Sequence, residues 1–272
     1  GRLLIPVGRT NLNHEPPAFW GVERPTFDNG IIPTTWFSEG AGLFGELLPS
    51  LRYEGYVVAG LDGTGFSPTT GLRSGRLQEQ PSLHQPAVTG RMDYFPLVDF
   101  PGGVDQAARI GVSSYAGGVN NGNAGNNPGK TGVNVWVKSA DAEYRFWIFE
   151  WRGALAQVTI DHARTLGGGV ARELFGWYTE GGVHLLPDSC KTGKLEMADV
   201  VAFARYEEDD TQYRMPSGVA KTGSGDRRET TFGVNFYLVT NFVIKGDYQI
   251  RDDRSSTSKP DNLFNVGLGW QF

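Results

Sequence analysis

Apolar and polar residues alternate with a period of two from one end of the chain to the other. That period belongs to β-strands whose two faces meet different surroundings. The last segment is the clearest: Asn262, Phe264, Val266, Leu268, Trp270 and Phe272 share one face, and Leu263, Asn265, Gly267, Gly269 and Gln271 share the other. Before it, Phe242, Ile244, Gly246, Tyr248 and Ile250 oppose Lys245, Asp247, Gln249 and Arg251. The same alternation sets Arg52, Glu54, Tyr56 and Val58 against Tyr53, Gly55 and Val57, and Arg91 and Asp93 against Met92 and Tyr94. Further on it separates Glu143 and Arg145 from Tyr144 and Phe146, Glu150 and Arg152 from Trp151 and Leu155, Glu180 and His184 from Gly181 and Val183, and Arg205 and Glu207 from Ala204 and Tyr206. The pattern predicts about twelve strands of roughly 8–14 residues.

The connections alternate in length. Long ones are expected near 10–35, 63–86, 117–131, 162–172, 208–226 and 252–261, with shorter ones between them. Consecutive hairpins with all long loops at one end are a property of outer-membrane barrels. The expected fold is therefore all-β, a transmembrane antiparallel up-and-down β-barrel formed as a single domain over 1–272. No signal-peptide pattern opens the chain and it does not begin with Met, so the expectation is a processed or partial chain lacking N-terminal strands.

Composition supports this reading. Gly 38 and Pro 15 are together about one residue in five, against an average nearer one in eight. Both are poor helix formers. Aromatic residues reach 12%, too many for a disordered chain, and the net charge of −5 lacks the basic excess of a nucleic-acid binder. A soluble lectin-like sandwich would also alternate. The membrane is favoured because the polar faces mix both charge signs with small residues, and because Tyr53, Tyr206, Tyr248, Trp270 and Phe272 end apolar stripes as an interfacial girdle does. An 11-residue strand spans roughly 36 Å, and about 28 Å when tilted, close to the apolar band of about 25 Å. On this reading the apolar residues face lipid and no large apolar core is needed.

The carboxyl-terminal Asn-Leu-Phe-Asn-Val-Gly-Leu-Gly-Trp-Gln-Phe, 262–272, resembles the terminal strand of Gram-negative porins. Stretches 1–8, 53–61, 90–96, 203–207 and 247–251 resemble the family of phosphate-selective porins O and P. The resemblance implies a barrel of sixteen strands, a homotrimer, outer-membrane location, and Trp270 and Phe272 as a signal read by the barrel-assembly machinery. Its phosphate specialists carry a lysine cluster, whereas the seven Lys here (130, 138, 191, 194, 221, 245 and 259) are scattered.

With polar faces inward, the expected pore lining is Arg52, Glu54, Arg91, Asp93, Arg109, Glu143, Arg145, Glu150, Arg152, Glu180, His184, Arg205, Glu207, Lys245, Asp247 and Arg251, with Arg2 and Glu46 nearby. Charges of both signs on facing walls suit small anions or polar solutes. The same residues can serve as cross-strand ion pairs. Segment 10–35 carries Pro16, Pro17, Phe19 and Trp20; it reads either as a pore constriction or as an ordered surface loop, and the surface loop is the expectation. Glu207–Asp210 reads as a solvated acidic turn without calcium-loop spacing.

Cys190 is the single cysteine, so no internal disulfide forms. His14 and His84 fall in loops, His162 at a strand end and His184 on the inner face. No His-Glu-x-x-His, Gly-x-Ser-x-Gly or phosphate-binding Gly-rich motif occurs, so the expectation is a non-enzyme with no cofactor and no metal. Passive diffusion of small hydrophilic solutes is the leading function, and a structural barrel around a partner protein is the alternative.

Overall fold

The computed structural model describes residues 1–77, 85–97, 106–119, 132–255 and 261–271. Twelve strands follow one another: β1 (Arg2–Leu4), β2 (Phe37–Leu48), β3 (Leu51–Ala59), β4 (Pro86–Tyr94), β5 (Gln106–Gly118), β6 (Asn134–Phe146), β7 (Phe149–Ile160), β8 (Glu173–His184), β9 (Asp199–Arg214), β10 (Asp226–Val239), β11 (Phe242–Asp253) and β12 (Asp261–Trp270). Each pairs antiparallel with its sequence neighbours, in the order β1 to β12. The molecule is the all-β, up-and-down barrel architecture that the alternation predicts. β1 covers only Phe37–Glu39 of β2, and β12 is paired with β11 alone.

The outward face is apolar. Val57, Val88, Met92, Ile110, Val112, Leu155, Val234 and Ile244 are all exposed, as are Tyr144, Phe146, Phe149 and Trp151 near the short turns. A continuous apolar belt of this kind exceeds what a protein surface in water carries and matches a wall facing lipid. Gly55 and Gly181 lie in this face with nothing near the place a Cβ would take.

The inner face is less uniform than the sequence suggests. Toward the short-turn end it is charged on every strand from β3 to β9. Toward the long-loop end of β3–β8 it is apolar, with Tyr56, Val58, Ala87, Tyr115, Val135, Val137, Ala156, Val158 and Leu174 buried. The expectation that no apolar core is needed is corrected here. A core exists inside the barrel, and its second half comes from Ile5, Val7, Phe27, Ile31, Ile32 and Trp36 in the connection between β1 and β2.

That connection, residues 5–36, is the second correction. It does not sit on the surface: it enters the barrel and lies across the lumen. Two short helices, α1 (Arg9–Leu12) and α2 (Phe27–Gly30), punctuate it. We call it the strap. The connection expected at 208–226 is also shorter, because β9 and β10 extend over both its ends. Glu207–Asp210 is therefore strand, with Glu207 and Asp209 buried on the inner face and Glu208 and Asp210 on the outer one. The four carboxylates point in alternate directions and form no turn.

Candidate functional site

The strap is fixed from both walls by side chains that reach its backbone. Asn11 closes its base: its amide donates to the carbonyls of Ile5 (2.7 Å) and Trp36 (2.8 Å), and its Oδ1 accepts from the Trp36 N–H (2.6 Å). On the β5–β6 side, Ser113 Oγ accepts from the Gly8 N–H and Glu143 pairs with Arg9. On the opposite wall, Lys245 Nζ donates to the carbonyls of Phe19 (2.5 Å) and Gly21 (2.8 Å). Asp247 Oδ2 accepts from the Val22 N–H at 2.6 Å and Glu207 Oε2 from the Phe27 N–H at 3.1 Å. A buried backbone needs partners for its N–H and C=O groups. Here charged strand residues supply them, which lets irregular chain cross the lumen.

Shape completes the fit. Trp20 is buried against Phe203, with ring centroids 5.9 Å apart, and lies under the Arg152 guanidinium at 4.1 Å. A Cβ at Gly182 would stand 2.6 Å from the Trp20 ring, and one at Gly269 2.5 Å from Pro16. Inward glycines on the strands thus leave room for the bulky residues of the strap.

The sixteen residues expected to line the pore all belong to inner faces, and the structure gathers most of them into ion-pair chains. Arg91 pairs with Asp93 (2.7 Å) and Asp141 (2.8 Å), while Arg109 reaches Asp93, Asp141 and Glu143. Arg152 pairs with Glu150 at 2.6 Å and lies 3.7 Å from Glu180. His184 sits between Glu150 (3.1 Å) and Asp199 (2.5 Å). Arg205 pairs with Glu207 and Glu229, and Arg251 bridges Glu229 and Glu23. Arg52 pairs with Glu46, and Glu54 accepts from Tyr56. Arg145 lies on the same inner face of β6 as Glu143.

One part of the expected lining is corrected. Arg91, Glu180, Arg205, Glu207, Lys245 and Asp247 are each no more than 3% exposed, packed under the strap or within the ion-pair chains. They hold structure and do not front open water. Arg52, Glu54, Asp93, Arg109, Glu143, Glu150, Arg152, His184 and Arg251 keep partial access. Sequence reasoning missed Asn11, Asp141 and Glu229; Asp141 and Glu229 continue the inward alternation of β6 and β10 and were legible there. Of the expected assembly signal, Trp270 points outward and is 59% exposed, while Phe272 lies outside the described residues. The Asn/Gly stretch at 120–131 and His84 also lie outside them.

Among the described residues a cavity lies on each side of the strap. One of about 400 Å³ faces the short turns, between Arg9, Arg52, Glu54, Asp93 and Arg109. The other, about 550 Å³, faces the long loops and is bordered by Glu23, Arg24, Asn29, Arg73, Arg251 and Asp261. Burial lowers Arg24 from its ordinary value, and the Arg73 guanidinium adds to this against the opposing pull of Asp28. Asp28 is itself buried in α2, which pushes its carboxyl up to about 7 despite a hydrogen bond from Thr10 and the nearby Arg9 and Arg205.

No family model matches the chain. An uncharacterized protein of Aquifex aeolicus (strain VF5) is 28% identical over 288 residues, and the chain spans 61% of that relative's length. Among solved structures, LpxR from Salmonella typhimurium aligns over 85% of this chain and 87% of its own, at 10% identity and a TM-score of 0.29. That neighbour is an outer-membrane enzyme; the expectation that this chain is a non-enzyme, which rested on absent motifs alone, is withdrawn. So low a score carries neither fold nor activity across, and the architecture described above rests on the chain's own strand pairing.

Proposed function

We propose that this chain forms the wall and constriction of an outer-membrane channel through which small hydrophilic solutes or anions diffuse. One observation carries the reading: the strap crosses a charged lumen, tied to opposite walls, with a cavity bordered by charged residues on each side. A wall with lipid outside and ion-paired charges inside sets a transverse field in any water that threads it, which favours polar over apolar solutes. The motif resemblance to phosphate-selective porins supports the same reading, and with it a trimer delivered by the barrel-assembly machinery. Liposome swelling tests it: vesicles holding the purified protein should admit small sugars and organic anions faster than large ones. Swelling no faster than in empty vesicles would overturn it.

A second reading is a structural barrel around a partner. It is favoured by how fully the strap covers the β9–β11 wall, where Arg205, Glu207, Lys245 and Asp247 have no more than 3% exposure. A sealed lumen together with a co-purifying partner chain would support it.

A further inference from the structure

The cavity on the long-loop side carries charge of both signs on different elements. Arg24 stands on the strap and Arg73 on the β3–β4 connection, and both border it. Arg24 donates to the His14 carbonyl at 2.6 Å, and Arg73 donates to the Asn29 side chain. Among the described residues neither forms an ion pair. A guanidinium has five N–H donors, so each retains several for a ligand. Arg24 also lies over the Phe19 ring at 5.6 Å, and Asp28 and Glu15 are the acidic groups that act on it against the repulsion of Arg73.

The opposite rim mixes Arg227, Arg228 and Arg251 with the carboxylates of Glu229, Asp252, Asp253 and Asp261. Asp261 opens β12, is exposed, and forms no ion pair among the described residues. Its register partner is Arg251, whose guanidinium is turned instead to Glu229 and Glu23 at 2.8 and 2.6 Å. Arg227, which also borders the cavity, is engaged by Asp209. Arg24 and Arg73 on the loop side and Asp261 on the strand side thus form no ion pair among the described residues, and Asp252 and Asp253 border the same strand-side rim.

A cavity of this volume is roughly one Debye length across at physiological salt, so both signs act on whatever occupies it. A simple anion drawn to Arg24 and Arg73 meets the carboxylates of Asp252, Asp253 and Asp261, and a simple cation meets the reverse. Only a solute with both charges finds each wall attractive. We propose that this cavity binds a dipolar solute bearing a carboxylate and an ammonium, the chemistry of an amino acid or short peptide, with Arg24 and Arg73 taking the carboxylate and Asp261 the ammonium. The proposal deepens the channel reading by naming the solute class at its loop-side mouth. Its volume lies within the range of small-molecule sites.

Titration calorimetry on the full protein in detergent tests it without requiring conduction. The ligands are alanyl-alanine, N-acetylalaninate (carboxylate only), alanine N-methylamide (ammonium only) and inorganic phosphate. Alanyl-alanine should bind at least about tenfold more tightly than any of the others. The R24Q/R73Q double variant should reduce it to the level of the ammonium-only ligand, R24K/R73K should restore part of the loss, and D261N should reduce it to the level of the carboxylate-only ligand. Phosphate or N-acetylalaninate binding as tightly as alanyl-alanine would overturn the proposal, as would variants that change nothing or the absence of saturable binding. Saturable alanyl-alanine binding in a protein that does not admit solutes would uphold this site and overturn the channel.

Discussion

Lys245→Met isolates the contribution of one wall to holding the strap. Lys245 is 3% exposed, and its ammonium donates to two strap carbonyls, Phe19 at 2.5 Å and Gly21 at 2.8 Å. Hydrogen bonds to a charged group contribute about 1.5–3 kcal/mol each, and an orphaned buried carbonyl costs about 1–3 kcal/mol. Relief of the buried charge offsets part of this, because methionine fills similar volume without desolvation. The lower end, about 3 kcal/mol, corresponds to roughly a hundredfold in a local opening equilibrium. Asp247 still holds the Val22 N–H, so lifting should stay local. Hydrogen exchange by mass spectrometry reads it: peptides over Phe19–Val22 should exchange about a hundredfold faster, while strands β5 and β6 keep their protection. Unchanged protection of that peptide would refute the claim that strand side chains hold the strap in place.

Other perturbations probe other parts of the account. Arg91→Met leaves Asp141 buried without one of its two arginines and should cost about 3–5 kcal/mol, read as a lower unfolding temperature on heated, semi-native gels. Asp28 has a folded pKa of about 7 against an ordinary 3.8, so its contribution to strap stability is present at low pH and is lost as pH rises through about 7. Strap protection from exchange should therefore be greater at pH 5 than at pH 8, and Asp28→Asn should flatten that difference. Gly182→Ala drives a methyl group toward Trp20 and should loosen the strap, with Trp20→Phe in the same chain recovering part of the protection. Val112→Arg on the outer face should cost about 2–4 kcal/mol when the protein is folded into vesicles, an effect absent for a neutral substitution there.

The barrel architecture was legible because a membrane wall enforces its alternation along each strand: any inward slip of Phe232 or outward slip of Arg205 would put the wrong group in lipid. The strap was less legible for the opposite reason. Its proline-rich stretch and its aromatics suit a surface loop as well as a buried one, and what decides is long-range fit. The signal was present as complementarity. Inward glycines such as Gly182 and Gly269 sit opposite a segment carrying Trp20 and Pro16, and the inward valines Val58 and Val135 had no polar role on a wet wall. Read together, those positions require something apolar inside. The distinction between Lys245, buried under the strap, and Arg52, open to the lumen, depends on the path of residues 5–36 and cannot be seen in either strand alone.

Single-channel recording in planar bilayers, comparing the unaltered protein with Trp20→Ala, tests the central claim that the strap constricts an aqueous lumen. Discrete conductance steps are expected for the unaltered protein, and larger steps once the Trp20 ring is removed. Silent membranes with folded protein, or identical steps in both, would contradict it.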